Sequence, residues 1–169
     1  MKSLSETPNG IRERLAEMYR LDQEMRDHAH LDPSKWDDAL AVKNTLGLKE
    51  IILEIGWPSI SKVGEFGATC AWLIAQHSDH DIPFQKECLA LMKSEPTGAV
   101  KKRNIAFLED RIAVAEDRPQ KYGTQFQRSP NCHSEVCTLL DRDQIEVFRA
   151  EVGLEPFAEY EAMMTKFKQ

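Results

Sequence analysis

The sequence predicts a mainly α fold: a single-domain helical bundle over residues 1–169 with a short β-hairpin near residues 123–138. Three observations predict it. Apolar side chains recur at three- and four-residue spacing along most of the chain. Proline, glycine and short polar residues interrupt that pattern at positions suited to caps and connections. Between Pro119 and about Leu139 the helical pattern fails, and two short runs flank a turn.

Taken in order, Ile11, Leu15, Met18 and Met25 predict a first helix over about residues 8 to 28. Asp32 followed by Pro33 is a cap and first turn for a second helix. That helix carries Trp36, Leu40, Leu48, Ile51, Ile52 and Ile55 and ends at Gly56, with Gly47 weakening its middle. Trp57-Pro58-Ser59 is a tight connection. From about Gly64 to His77 the chain is apolar on more than one side, which predicts the central helix of the bundle. Asp81 and Pro83 start a helix bearing Phe84, Cys88, Leu91 and Met92, which Pro96 ends. Thr97 is the expected cap of the next, over about 98 to 117, with Ile105, Leu108 and Ile112 on one face and Arg118-Pro119 as its stop. The runs 123–128 and 134–138 then form a hairpin around Ser129-Pro130-Asn131-Cys132. Asp141 or Asp143 caps a helix ending at Gly153, and a last helix covers about 157 to 167.

With 169 residues, 41% hydrophobic and 30% charged, the chain has ordinary globular composition and needs no disulfide to fold. A net charge of −6 argues against a nucleic-acid partner, because phosphate contacts need a local excess of Lys and Arg; Lys101-Lys102-Arg103 is a solvated cluster. Nothing at the N-terminus reads as a secretory signal, and no apolar run is long enough for a membrane span. The expected location is the cytoplasm, so the four cysteines are expected as free thiols. Cys132-His133 with Cys137 resembles half of a zinc site, with no second Cys/His pair downstream.

Two polar stretches carry the candidate chemistry. The first, Gln76 to Asp81, ends the central helix; the second runs from Glu109-Asp110-Arg111 through Glu116 to Gln125. His77 follows Leu73 by one turn, and an inward imidazole beside a carboxylate suits acid–base work near neutral pH. The plainer role is a helix-terminal histidine bonded to a carbonyl. His77 and His80 with Asp79 and Asp81 offer metal-binding groups, but the spacing matches no metal motif, so no cofactor is expected. Arg111 and Arg118 lie seven apart on one helix face, suited either to clamping a carboxylate or phosphate or to pairing with acidic neighbours. Tyr122-Gly123-Thr124-Gln125 sets a phenol, a hydroxyl and an amide around a flexible glycine. No nucleophile elbow, P-loop, dinucleotide fingerprint or His-Glu-x-x-His helix is present.

Gly56-Trp57-Pro58-Ser59, Ala71 to Asp79, Leu108 to Arg111 and Arg118-Pro119-Gln120-Lys121-Tyr122-Gly123-Thr124-Gln125 together resemble the hallmark motifs of a widespread bacterial family known only as a domain of unknown function. The resemblance covers about residues 40 to 160, with the Arg-Pro-Gln…Tyr-Gly-Thr-Gln string its most specific part. It implies that Gln76, His77, Asp79, Asp110, Arg111, Arg118, Gln120, Tyr122 and Gln125 occupy the family's polar motif positions. Ser78, His80-Asp81 and the pair Cys132 and Cys137 depart from that pattern.

The combined expectation is a small enzyme acting on a polar, anionic small molecule or a peptide group. His77, Asp110 and Tyr122 are its expected catalytic groups, with Asp110 orienting His77. Gln76, Arg111, Arg118, Gln120, Thr124 and Gln125 are expected to bind substrate. The alternative is a non-catalytic module, of immunity or regulatory type, that recognises a protein partner. No membrane partner is expected, and the sequence gives no oligomeric state.

Overall fold

The computed structural model describes residues 7–128 and 134–166. They form seven α-helices, one 3-10 turn and a two-stranded antiparallel hairpin, so the fold is mainly α. The chain divides into two compact units, within 1–100 and within 101–169.

The first unit holds α1 (Pro8–Leu31), a 3-10 turn (Pro33–Lys35), α2 (Asp38–Ile55), α3 (Ile60–Gln76) and α4 (Ile82–Ser94). Thr7 caps α1 by accepting from the Gly10 amide. The buried residues of α1, namely Ile11, Leu15, Met18, Asp22 and Met25, alternate steps of four and three and so form one stripe. That stripe packs mainly against α3. α3 also meets α2 and α4, and it buries residues on several sides, from Val63 and Cys70 to Ile74 and Gln76, as a central helix must. Gly64, at φ 74°, breaks the helical path inside α3, so the start expected near Gly64 falls inside a helix that begins at Ile60.

The helix expected to run unbroken from Pro33 to Ile55 is interrupted. Asp32 caps only the short turn by accepting from the Ser34 amide. Trp36 and Asp37 are extended, and Asp37 starts the helix again by accepting from the Ala39 and Leu40 amides. Two aspartate caps five residues apart thus divide the segment. Asp81 caps α4 through the Phe84 amide, as its position suggested.

The second unit holds α5 (Lys102–Ala115), β1 (Phe126–Arg128), β2 (Ser134–Val136), α6 (Ile145–Glu151) and α7 (Phe157–Lys166). α5 starts at Lys102, beyond the expected Thr97 cap, because Pro96–Ala99 closes a turn with Gly98 at φ 86°. At its other end α5 stops in a Schellman arrangement. The Arg118 amide bonds the Ala113 carbonyl and the Asp117 amide bonds that of Val114, with Asp117 at φ 55° where glycine is usual. The strands pair Phe126 with Val136, Gln127 with Glu135 and Arg128 with Ser134. The turn expected at Ser129 to Cys132 lies outside the described residues. Asp141 accepts from the Asp143 and Gln144 amides, which shapes the turn leading into α6. Ala106, Tyr122 and Leu154, with Phe107 and Phe148 against them, form a small core.

Candidate functional site

In the first unit the polar centre is built on α1 and the end of α3. His77 is the C-cap of α3, and its Nδ1 lies 2.7 Å from Oδ2 of Asp22. Asp22 is 2% exposed because it occupies a core-facing place in the α1 stripe. Three groups address its carboxylate: His77, the Gln23 amide at 2.9 Å and Arg26 Nε at 3.1 Å. Burial alone would raise the Asp22 carboxyl. The hydrogen bond and charge of His77, with Arg26 and Gln23, outweigh it and hold the group below its ordinary value. Asp22 is therefore ionised at neutral pH. The His77 side chain keeps 16% exposure.

Buried hydroxyls and amides fix this helix end. Ser78 Oγ donates to the Ile74 carbonyl and sits 2.8 Å from Thr45 Oγ1. Gln85, fully buried on α4, donates through Nε2 to the carbonyls of Ala75 and Gln76. The Gln76 side chain, expected to bind substrate, is itself buried. His80 is exposed, and Asp81 pairs with Lys49 at 2.7 Å while capping α4.

In the second unit the Arg118-to-Gln125 string encloses Asp110. This carboxylate is 0% exposed and accepts from the amides of Lys121 (2.8 Å), Tyr122 (3.0 Å) and Thr124 (3.0 Å), and from the Thr124 hydroxyl (3.0 Å). Burial raises its pKa from the ordinary carboxylate value, and these four donors pull the other way. Asp110 thus acts as an internal acceptor that folds the 121–124 turn around itself. Gln120, also fully buried, donates to the carbonyls of Gln125 and Cys137 and accepts from the Gln125 amide. It ties the turn to the hairpin. Gly123 adopts φ 65°, and a Cβ there would lie 2.6 Å from Phe157 Cε2. The motif needs glycine on both counts.

The remaining expected residues have these places. Tyr122 is buried, which raises its phenol, and its carbonyl accepts from Arg149 Nη1 at 2.7 Å. Arg111 Nη1 reaches Gln125 Oε1 at 3.4 Å, and Gln125 Nε2 donates to Thr124 Oγ1. Arg118 pairs with Glu116 at 2.6 Å. It lines a cleft of about 230 Å³ together with Asp117, Gln127 and Thr138. Cys70, Cys88 and Cys137 are buried free thiols; burial raises all three, Cys70 to about 11, which leaves them unreactive at neutral pH.

The structure therefore brings Asp110, Gln120, Tyr122, Thr124 and Gln125 together and joins His77 to Asp22. The sequence reading missed Asp22, although its phase was visible: a carboxylate at the fourth place of an apolar stripe needs a buried partner. It also missed Arg149, 1% exposed, whose guanidinium lies 4.9 Å from the Tyr160 ring and donates to the Glu155 and Tyr122 carbonyls. Nothing in its local sequence marks it. Among the described residues no group of three or more His, Cys, Asp or Glu could hold a metal ion. Cys132 and His133 of the half zinc pattern lie outside those residues. Among the described residues no helix is long and apolar enough to cross a membrane.

Comparison with the curated proteins and with the solved structures gives no match. One family model, of a family of unknown function, does match, over residues 10–167. The chain belongs to the family of unknown function DUF6624.

Proposed function

We propose that the protein is a small cytoplasmic enzyme that uses the Asp22–His77 pair for acid–base chemistry on a polar, anionic small molecule or peptide group. The observation that carries this reading is the 2.7 Å contact between His77 Nδ1 and a carboxylate that is 2% exposed. A carboxylate at Nδ1 holds the proton there and directs the lone pair of the neutral ring to Nε2. Nε2 is then the atom that takes a proton from substrate, and the ionised Asp22 stabilises the resulting imidazolium. In this reading Asp22 orients and Asp110 holds the second unit's turn. Arg26, beside Asp22, supplies a positive charge near the pair, which favours an anionic substrate.

The test is turnover of a panel of small anionic esters, phosphoesters and amides by the wild type, His77→Gln and Asp22→Asn. General acid–base groups contribute about 10²- to 10⁴-fold, so His77→Gln should lose a factor in that range while circular dichroism shows it folded. Undiminished turnover in a folded His77→Gln protein would refute the proposal.

A second reading, the non-catalytic recognition module, is favoured by the Asp110 cage. There the motif's polar groups are spent on one another and on backbone amides, as in an architectural network. On that reading, Asp22→Asn and His77→Gln lower stability alone, and the wild type turns over nothing in the panel.

A further inference from the structure

A groove in the first unit takes no part in the Asp22–His77 pair. It lies between α1 and α2, has a volume of about 870 Å³, and combines apolar walls from Met18, Leu21, Val42 and Leu46 with the charged Lys43 and Glu50. Val42 and Leu46 are 43% and 53% exposed, and Leu53 continues the same stripe seven residues on at 88%. An apolar stripe of that exposure on a helix marks an interaction surface. Gly47 lies beside Leu46, and a Cβ there would lie 3.2 Å from Met18 Sδ, so the missing side chain lets α1 approach.

We propose that this face binds a second copy of the chain, α2 against α2, antiparallel about a two-fold axis passing beside Leu46 and Gly47. A two-fold contact requires a surface that complements itself, and the charges on this face meet that requirement. With the axis midway between positions 46 and 47, Leu46 of each copy faces position 47 of the other, where glycine puts no side chain in the way. The same rotation sets Lys43 opposite Glu50, and it does so twice. A parallel arrangement would instead oppose Lys43 to Lys43 and Glu50 to Glu50. Both residues are exposed, Lys43 has no ion pair among the described residues, and Glu50 is held in place by Arg14 of its own copy. An interface of this kind places an apolar centre within a charged rim, the arrangement typical of protein contacts.

Sedimentation velocity of the full chain over about 1–100 μM, a span covering ordinary dimer affinities, tests the proposal. The wild type should sediment with twice the chain mass of 19.3 kDa at the upper concentrations. Leu46→Asp should raise the dimer dissociation constant by at least about thirtyfold, as expected of a central apolar anchor. Lys43→Glu should raise it about tenfold, and adding Glu50→Lys should restore it to within about threefold of wild type. Because Glu50→Lys also breaks the Arg14 pair, helicity and melting of each variant are recorded alongside. A wild type that stays monomeric throughout overturns the proposal and leaves the groove to a different protein. So does a dimer indifferent to Leu46→Asp, or a folded charge-swapped variant that does not recover.

Discussion

Replacing Asp110 by Asn tests whether the Asp110 carboxyl organises the 121–124 turn as a cage of donors. Oδ1 of the carboxyl accepts from the Lys121 and Tyr122 amides, and Oδ2 from the Thr124 amide and hydroxyl, with the Tyr122 amide shared between the two at 3.0 and 3.1 Å. In Asn, one of these oxygens becomes an NH₂ group. With the retained oxygen facing Lys121 and Tyr122, the Thr124 hydroxyl can turn and accept. The Thr124 amide cannot, so a buried N–H loses its acceptor and meets another donor. An unsatisfied buried donor costs about 1–3 kcal/mol, and bonds to a charged acceptor are stronger than neutral ones. The net expectation is about 2 kcal/mol. Asp110→Ala removes every acceptor at once and should cost more, about 4 kcal/mol. The assay is amide hydrogen exchange at Lys121, Tyr122 and Thr124, which reads the turn directly whether or not the two units unfold together. For Asp110→Asn the expected acceleration is about thirtyfold. Exchange within about threefold of wild type at all three amides would refute the cage.

Gly123→Ala should destabilise the second unit by about 3 kcal/mol, combining the left-handed backbone penalty with overpacking against Phe157 and Ile145. Near-UV circular dichroism from the tyrosines should register it, and an unchanged melting curve would count against the packing described. Asp117→Gly should stabilise the second unit by about 1 kcal/mol, because the helix terminus already holds φ 55° there; a lowered melting temperature would assign the aspartate side chain a role of its own. Asp22→Asn should remove a pH-dependent contribution. Because the folded-state pKa of Asp22 is lowered, its stabilisation is complete above the unfolded value near pH 4 and is lost as pH falls through the folded value. The stability gap between wild type and variant should therefore be wide at neutral pH and close in acid. Trp36, Trp57 and Trp72 all lie in the first unit, so their fluorescence follows it selectively, and a gap constant with pH would contradict the pairing.

Much of the architecture was legible because helices announce themselves through apolar phase and caps. Ile11, Leu15, Met18 and Met25 marked the α1 stripe, and Asp81 marked the start of α4. The misjudged boundaries share a cause. Asp32 and Asp37 both offer caps, and Thr97 is a good cap type; only the backbone path decides which is used. The site was less legible because its contacts are long-range or made by backbone. Asp22 and His77 are 55 residues apart, and an aspartate in a polar-looking helix is conspicuous only once its phase is compared with the stripe. The partners of Asp110 are mainly amides, which every residue but proline carries, so the side chains of Lys121 and Tyr122 gave no sign of them.

The most direct measurement is the tautomer and proton environment of the His77 ring, read by long-range proton–nitrogen NMR on the folded chain. In the neutral ring the proton should reside on Nδ1, hydrogen-bonded to Asp22, with Nε2 unprotonated, and Asp22→Asn should shift the Nδ1 resonance. A neutral ring protonated on Nε2, or an Nδ1 signal indifferent to Asp22→Asn, would contradict the account.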